Sequence, residues 1–257
     1  MNNITFQNIH KIGHIIYEDA LYRQYHYPEM LSRYDSNFIK WKKMPTLEEF
    51  QKVEQALHTF HQQHEQQHVK FVFPANEKIP ALITSYLKKE NYDIGFLELY
   101  TIQPSQFPVA KDPNINVQPV TEKNLEAFLK LQYNQDLRNG ETFAKQKQTM
   151  IRRQFQEEST RYQILAYNKE GIPVGSVEVS EKEQTAEIDN LFVIESHQRK
   201  GIGGQLQRHV MDQFPDKTII LVADGEDTPR DMYQKQNYKF QGFQYEVLKV
   251  ETGTPSK

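Results

Sequence analysis

The residues whose types and spacing can do chemistry lie in Gln198-Arg199-Lys200-Gly201-Ile202-Gly203-Gly204. Apolar residues recur at helical spacing from there on (Ile202, Leu206, Val210, Phe214), so the run opens a helix. The first turn of a helix has backbone N–H groups with no internal acceptor, and its dipole favours an anion there. Glycines at 201, 203 and 204 keep Cβ atoms out of the way of a bulky ligand, and Arg199 and Lys200 add positive charge. A diphosphate is the natural guest. A lone Gly-x-Gly would be no more than a glycine-rich helix start, but here a strand precedes the loop. Residues 185–193 are rich in β-branched and apolar types, with Ile188, Asn190 and Phe192 alternating against Asp189, Leu191 and Val193. The loop has neither the Lys-Ser/Thr of a P-loop nor the dinucleotide glycine spacing, which argues against a nucleotide-binding enzyme.

Gln198 to Gly203 resembles the Gln/Arg-x-x-Gly-x-Gly/Ala signature of the GCN5-related N-acetyltransferases (GNAT), and Leu191-Phe192-Val193 resembles that family's central strand. The resemblance covers about residues 114–250 and departs from the pattern at Glu195, where proline is frequent, and at His197, where tyrosine is common. It implies acetyl-coenzyme A as cofactor and direct attack by a primary amine. The cofactor contacts it implies are Leu191, Phe192, Val193, Gln198, Arg199, Lys200, Gly201, Ile202, Gly203, Gly204 and Tyr233. The thioester oxygen would take the backbone N–H of Leu191, and the pantetheine arm would pair with the strand edge near Val193. Tyr233, in Met232-Tyr233-Gln234-Lys235-Gln236-Asn237-Tyr238, resembles the tyrosine of a Leu/Phe-Tyr-x-x-x-Gly-Phe motif and is the implied general acid for the departing thiolate. Asn237 stands where glycine is usual, and asparagine tolerates the left-handed conformation. Glu226 replaces the asparagine that commonly precedes this tyrosine by seven residues, and Pro229 replaces a small residue; both weaken the contacts expected there.

An acceptor ammonium with a pKa near 10.4 must lose a proton before it attacks, so a carboxylate is expected near the reaction. Glu187 lies eleven residues before Gln198, the spacing of the general base in the histone-modifying branch of the resembled family. Asp189 shares its strand parity. Both also read as ordinary solvent-facing strand residues, and many members of the family use no single base.

The elements that must position these residues follow from periodicity. Residues 115–120 read as a strand, Thr121 caps a helix to about 133, a second helix spans 141–157, and strands at 162–167 and 173–180 form a hairpin leading to 185–193. After the glycine loop come a strand at 218–223, a helix at 228–236 and extended chain at 238–250. The order β-α-α-β-β-β-α-β-α-β-β is what the resemblance implies: an α/β (α+β) fold with a mixed, largely antiparallel sheet flanked by helices.

The first half repeats part of this plan. Ser85-Tyr86-Leu87-Lys88-Lys89-Glu90-Asn91-Tyr92, followed by Gly95-Phe96, parallels Asp231 to Tyr238, followed by Gly242-Phe243. The chain therefore reads as a tandem: a degenerate GNAT-like domain over 1–103, a proline-broken linker over 104–114, and an intact acetyltransferase domain over 115–257. The first copy has no glycine-rich loop and is expected to bind no cofactor. Within it, residues 10–24 read as a helix, and Thr46 with Glu49 forms a capping box opening a helix whose apolar face is Leu47, Phe50, Val53, Leu57 and Phe60. Residues 69–73 read as a strand, 79–89 as a helix and 92–102 as extended chain. His61, His64 and His68 share one side at metal-capable spacing, but no carboxylate-rich partner motif accompanies them, so they read as a solvated polar face and no metal is expected.

Composition excludes other classes. The 257 residues carry a net charge of −3, which offers no basic surface for nucleic acid, and the absence of cysteine removes disulfides and thiol catalysis and suits the cytoplasm. No apolar run reaches membrane-spanning length. The reading is an acetyl-coenzyme A-dependent N-acetyltransferase acting on a small-molecule or protein amine. The alternative is a protein of the same fold that binds acyl-coenzyme A without turnover.

Overall fold

A computed structural model of the chain describes residues 4–225 and 229–251, with Pro229 described by its backbone alone. In chain order the first part holds β1 (His14–Glu18), β2 (Tyr22–His26), β3 (Phe38–Trp41), α1 (Leu47–Gln63), β4 (His68–Val72), α2 (Ala81–Lys89) and β5 (Asp93–Ile102). The second part holds β6 (Asn116–Pro119), α3 (Leu125–Asp136), α4 (Glu141–Glu157), β7 (Arg161–Tyr167), β8 (Pro173–Glu181), β9 (Thr185–Val193), α5 (Ile202–Gln213), β10 (Thr218–Asp224), α6 (Pro229–Lys235) and β11 (Lys239–Val250). The second part follows the expected order except at its end, where one twelve-residue strand replaces two. Among the described residues, no helix is long and apolar enough to cross a membrane.

The described chain forms two compact units, and neither is a continuous segment. One contains residues 11–98, 223–225 and 242–251; the other contains 4–10, 99–222 and 229–241. These units do not coincide with a linear division at 104–114. β5 and β11 each change unit partway along, so each copy of the fold is completed by strand residues from the other half of the sequence. The expected linker is also not a free connector. Gln205 on α5 accepts from the Asp112 N–H and donates to the Ala110 carbonyl, both at 2.9 Å, which ties this stretch to its own unit.

In the unit built mainly from the first half, the strand order is β1-β2-β3-β4-β11-β5. The helix expected at 10–24 is instead the β1–β2 hairpin. Asp19 Oδ1 accepts the N–H groups of Leu21 (2.7 Å) and Tyr22 (2.8 Å), and this side-chain turn closes two strands of β-branched and aromatic residues where a helix would need to continue. α1 opens as read: Thr46 Oγ1 accepts from the Glu49 N–H (3.1 Å), and the Glu49 carboxylate accepts from the Thr46 N–H (2.8 Å). Phe50, Val53 and Leu57 then pack with Trp41, Phe71, Phe73 and Leu87 in one core.

The histidines are not a solvated face. His61 and His68 are buried; His61 Nδ1 bonds the His68 carbonyl at 2.5 Å and His68 Nε2 bonds the Asn37 carbonyl at 2.9 Å. Burial drives both rings to a pKa of about 4, so they pack as neutral rings.

The internal repeat is visible in the backbone. α2 and α6 both end on a left-handed asparagine, Asn91 (φ 58°) and Asn237 (φ 66°). In both, the tyrosine that follows donates back to the carbonyl five residues earlier, Tyr92 to Leu87 and Tyr238 to Tyr233, each at 2.9 Å. The family tyrosine position is thus filled by Leu87, fully buried in the core, in the first copy.

In the other unit the strand order runs β10-β9-β8-β7-β6, antiparallel except for the parallel β10–β9 pair. α5 lies against the face of β8 that carries Gly175, where an added Cβ would sit 3.3 Å from Ile202 Cγ2. α3 lies on the opposite face, where Gln132 Nε2 donates to Ser176 Oγ at 2.8 Å. The N-cap of α3 is Asn124 rather than Thr121, because Asn124 Oδ1 turns back to accept the Thr121 N–H at 2.6 Å.

Candidate active site

Two strand features and one helix mouth define the site. β9 and β10 run side by side in parallel from Thr185↔Thr218 to Ile188↔Leu221, and there the pairing ends. Beyond it, β9 continues for five residues, Asp189 to Val193. On the other edge, its pairing with β8 slips between Glu178↔Asp189 and Ser176↔Phe192, a β-bulge that leaves Asn190 and Leu191 without register partners. Leu191 therefore has no register partner on either neighbouring strand. Asn190 sits at φ 46°, which breaks the simple alternation expected through this strand.

Just past the end of β9 is the mouth of α5. Its N-cap is Gly201, left-handed at φ 81° and ψ −7°, with no side chain to cap the helix. Arg199 is also left-handed, at φ 58°. Left-handed residues thus flank Lys200, a pattern able to turn successive N–H groups to one side as in an anion nest. The loop is held from outside the nest: Gln198 Nε2 donates to the Val193 carbonyl (3.1 Å) and Lys200 Nζ to the Ser196 carbonyl (2.9 Å). Among the described residues no protein atom accepts from the N–H groups of residues 199–204.

Gly203 is not explained by the fold alone. It is helical, and a Cβ there would meet nothing closer than Val193 Cγ2 at 3.9 Å, so neither backbone conformation nor packing requires glycine. A helical glycine costs about 1 kcal/mol against alanine. Gly201, by contrast, is fixed by its positive φ. The empty face at Gly203 suits a diphosphate resting on the first turn.

Tyr233 lies on α6 between two rings, with centroids 5.3 Å from Tyr100 and 5.4 Å from Tyr238. Its hydroxyl has no hydrogen-bond partner among the described residues, and burial pushes its pKa up. Glu226 and the side chain of Pro229, where the sequence departs from the family pattern, lie outside the described residues.

The two carboxylates differ. Glu187 is buried, and its Oε2 accepts the His10 N–H at 2.6 Å; the same N-terminal stretch is tied down where Lys182 Nζ donates to the Asn8 carbonyl at 2.6 Å. The solvent-facing reading of Glu187 therefore needs correcting: it is buried, with its carboxylate against the His10 backbone. The side chain of Asp189 is 47% exposed, with Oδ1 accepting the Asn190 N–H at 2.8 Å and Oδ2 3.7 Å from Arg161.

Sequence reasoning missed the buried polar group beneath this strand. Glu178 is buried on β8 and is gripped by Arg161 through Nη2 (2.7 Å) and Nε (3.1 Å). Burial alone would raise the Glu178 pKa, but the guanidinium outweighs it and holds the carboxyl below its ordinary value. The available signal was a charged residue at a strand position flanked by Val177 and Val179.

No curated protein matches the chain. A conserved protein of unknown function from Staphylococcus epidermidis is similar over 96% of this chain and 98% of its own, at 32% identity and a TM-score of 0.90. A GCN5-related N-acetyltransferase from Kribbella flavida shares the fold at 12% identity over 94% of this chain and 90% of its own, with a TM-score of 0.63. A tandem GNAT protein from the clavulanic acid biosynthesis pathway does so at 10% identity over 86% and 76%, with a TM-score of 0.53. The tandem fold read from the repeated Asn-Tyr segment is thus shared with a solved tandem. Residues 4–100 match a family described as a domain of unknown function, and residues 119–251 match the acetyltransferase (GNAT) domain family. That second match spans more than half of the chain, which therefore belongs to the GNAT acetyltransferase family.

Proposed function

We propose that the protein transfers an acetyl group from acetyl-coenzyme A to a primary amine. One observation carries the reading: the uncapped, glycine-lined mouth of α5 lies directly beyond the stretch of β9 that has left its pairing with β10. The cofactor supplies an acetyl thioester. Gly201 to Gly204 and the cations Arg199 and Lys200 would hold its diphosphate, and the free edge of β9 from Leu191 to Val193 would pair with its pantetheine amides. The Leu191 N–H is the donor for the thioester oxygen as charge develops there.

Asp189 is the better placed of the two carboxylates to take the proton from the acceptor ammonium, directly or through water, because its side chain is half-exposed while Glu187 is buried. Tyr233 returns a proton to the leaving thiolate. Its raised pKa keeps it protonated at neutral pH, so its hydroxyl has a proton to give as the C–S bond breaks. The N-terminal copy offers no comparable mouth for the cofactor. Its corresponding helix mouth, at α1, is already capped by Thr46 and Glu49, and Glu48 and Glu49 place negative charge where a phosphate would sit.

The test is release of free thiol from acetyl-coenzyme A in the presence of a panel of small amines, amino acids and peptides. Amine-dependent release supports transfer. Binding with no release across the panel favours the non-catalytic acyl-coenzyme A reading.

A further inference from the structure

The bulge in β9 has an anchor of its own. Asn190 takes a left-handed φ of 46° in the middle of a strand, a conformation that L residues rarely adopt and that persists only where the surroundings impose it. Here they do. Asn190 Nδ2 donates to Gln132 Oε1 at 2.7 Å and to Glu178 Oε1 at 2.9 Å, while Gln135 Nε2 donates to Asn190 Oδ1 at 3.3 Å. Each partner is fixed in turn: Glu178 by the Arg161 guanidinium and Gln132 by Ser176 Oγ. Gln132 and Glu178 are both buried. A buried charge pair and two amides thus converge on one side chain, at the point where β9 has slipped against β8 and has left its pairing with β10.

We propose that Asn190 is a positioning residue, whose side chain, clasped by Gln132 and Glu178, holds the β9 bulge open so that Leu191 to Val193 remain free to receive the acyl-pantetheine arm. The role rests on the proposed cofactor site. It acts on the arm more than on the diphosphate, because the turn before α5 is also held by Lys200 Nζ on the Ser196 carbonyl, a contact that does not involve β9.

The test compares two probes by calorimetry: acetyl-coenzyme A, which carries the arm, and ADP, which carries a diphosphate without it. In Asn190→Ala and Asn190→Gly, the acetyl-coenzyme A Kd should rise at least tenfold while the ADP Kd changes less than threefold. Glycine reaches a positive φ freely, so the Asn190→Gly variant separates the clasp from the backbone conformation. Unchanged acetyl-coenzyme A affinity in Asn190→Gly overturns the role of the side chain. Equal losses for both probes overturn it too, since a general loss of structure gives that result. Should neither variant fold, Gln132→Leu removes one clasp and leaves Asn190 in place; it should show the same split, and an absent split counts against the proposal. A wild-type chain that binds neither probe overturns the cofactor site itself, and the positioning role with it.

Discussion

Replacing Gly203 with glutamate should move stability and binding in opposite directions. A Cβ at this position meets nothing closer than 3.9 Å, so the first atom of a side chain enters without a clash. The substitution removes a helical glycine, worth up to about 1 kcal/mol. It also places a carboxylate in the first turn, worth a further 0.3–1 kcal/mol or so against the helix dipole. The cofactor-free variant should therefore be more stable than the wild type by roughly 1 kcal/mol, or about 2–4 °C in Tm. Binding should fail, because the carboxylate then occupies the ground where the diphosphate rests. The assay is thermal unfolding with and without acetyl-coenzyme A. A ligand at a hundred times its Kd stabilises the folded state by about 2.7 kcal/mol, roughly 5–10 °C here. The wild type should show that shift and Gly203→Glu should show none. An undiminished shift in the variant would move the diphosphate away from α5. A cofactor-free variant destabilised by several degrees would mean that glycine serves packing and not a ligand.

Tyr233→Phe should lower kcat at least tenfold while changing acetyl-coenzyme A affinity less than threefold; an unchanged kcat removes Tyr233 as the acid. Calorimetry should give one acetyl-coenzyme A per chain, because Thr46 and Glu49 close the α1 mouth; two sites per chain would contradict that reading. Stability should fall on acidification. Burial holds His61 and His68 at a pKa of about 4, against an ordinary value near 6.5. Below pH 6.5 the unfolded chain takes up protons that the folded chain does not, so stability is full above that pH and declines until about pH 4. By pH 5 the loss is of order 2 kcal/mol for each ring. A urea midpoint that does not move between pH 7 and pH 5 would show that these rings are not buried neutral.

The α5 mouth was legible because it is local: two cations and three glycines ahead of a helix define it without help from the rest of the chain. The α1 capping box, Thr46 with Glu49, was legible for the same reason. Non-local features were not. Ile15, Ile16, Tyr22 and Tyr25 fit helical spacing about as well as a hairpin, and the decision lies with two hydrogen bonds that Asp19 accepts. Nothing near Gly95 or Gly242 says that β5 and β11 change unit partway along, since strand partnership is settled by distant segments. The bulge at Asn190 depends on Gln132, in a helix 58 positions earlier, so the parity argument for Glu187 and Asp189 could not anticipate it. Glu187 reads as a surface carboxylate until the His10 N–H, 177 positions away, is found on it.

The most direct test of the site is a crystal structure of the protein with coenzyme A bound. The diphosphate oxygens should lie within hydrogen-bond distance of the amide nitrogens of Gly201 to Gly204, with the pantetheine arm along Leu191 to Val193. Coenzyme A bound elsewhere, with those amides facing water or protein acceptors, would contradict the account.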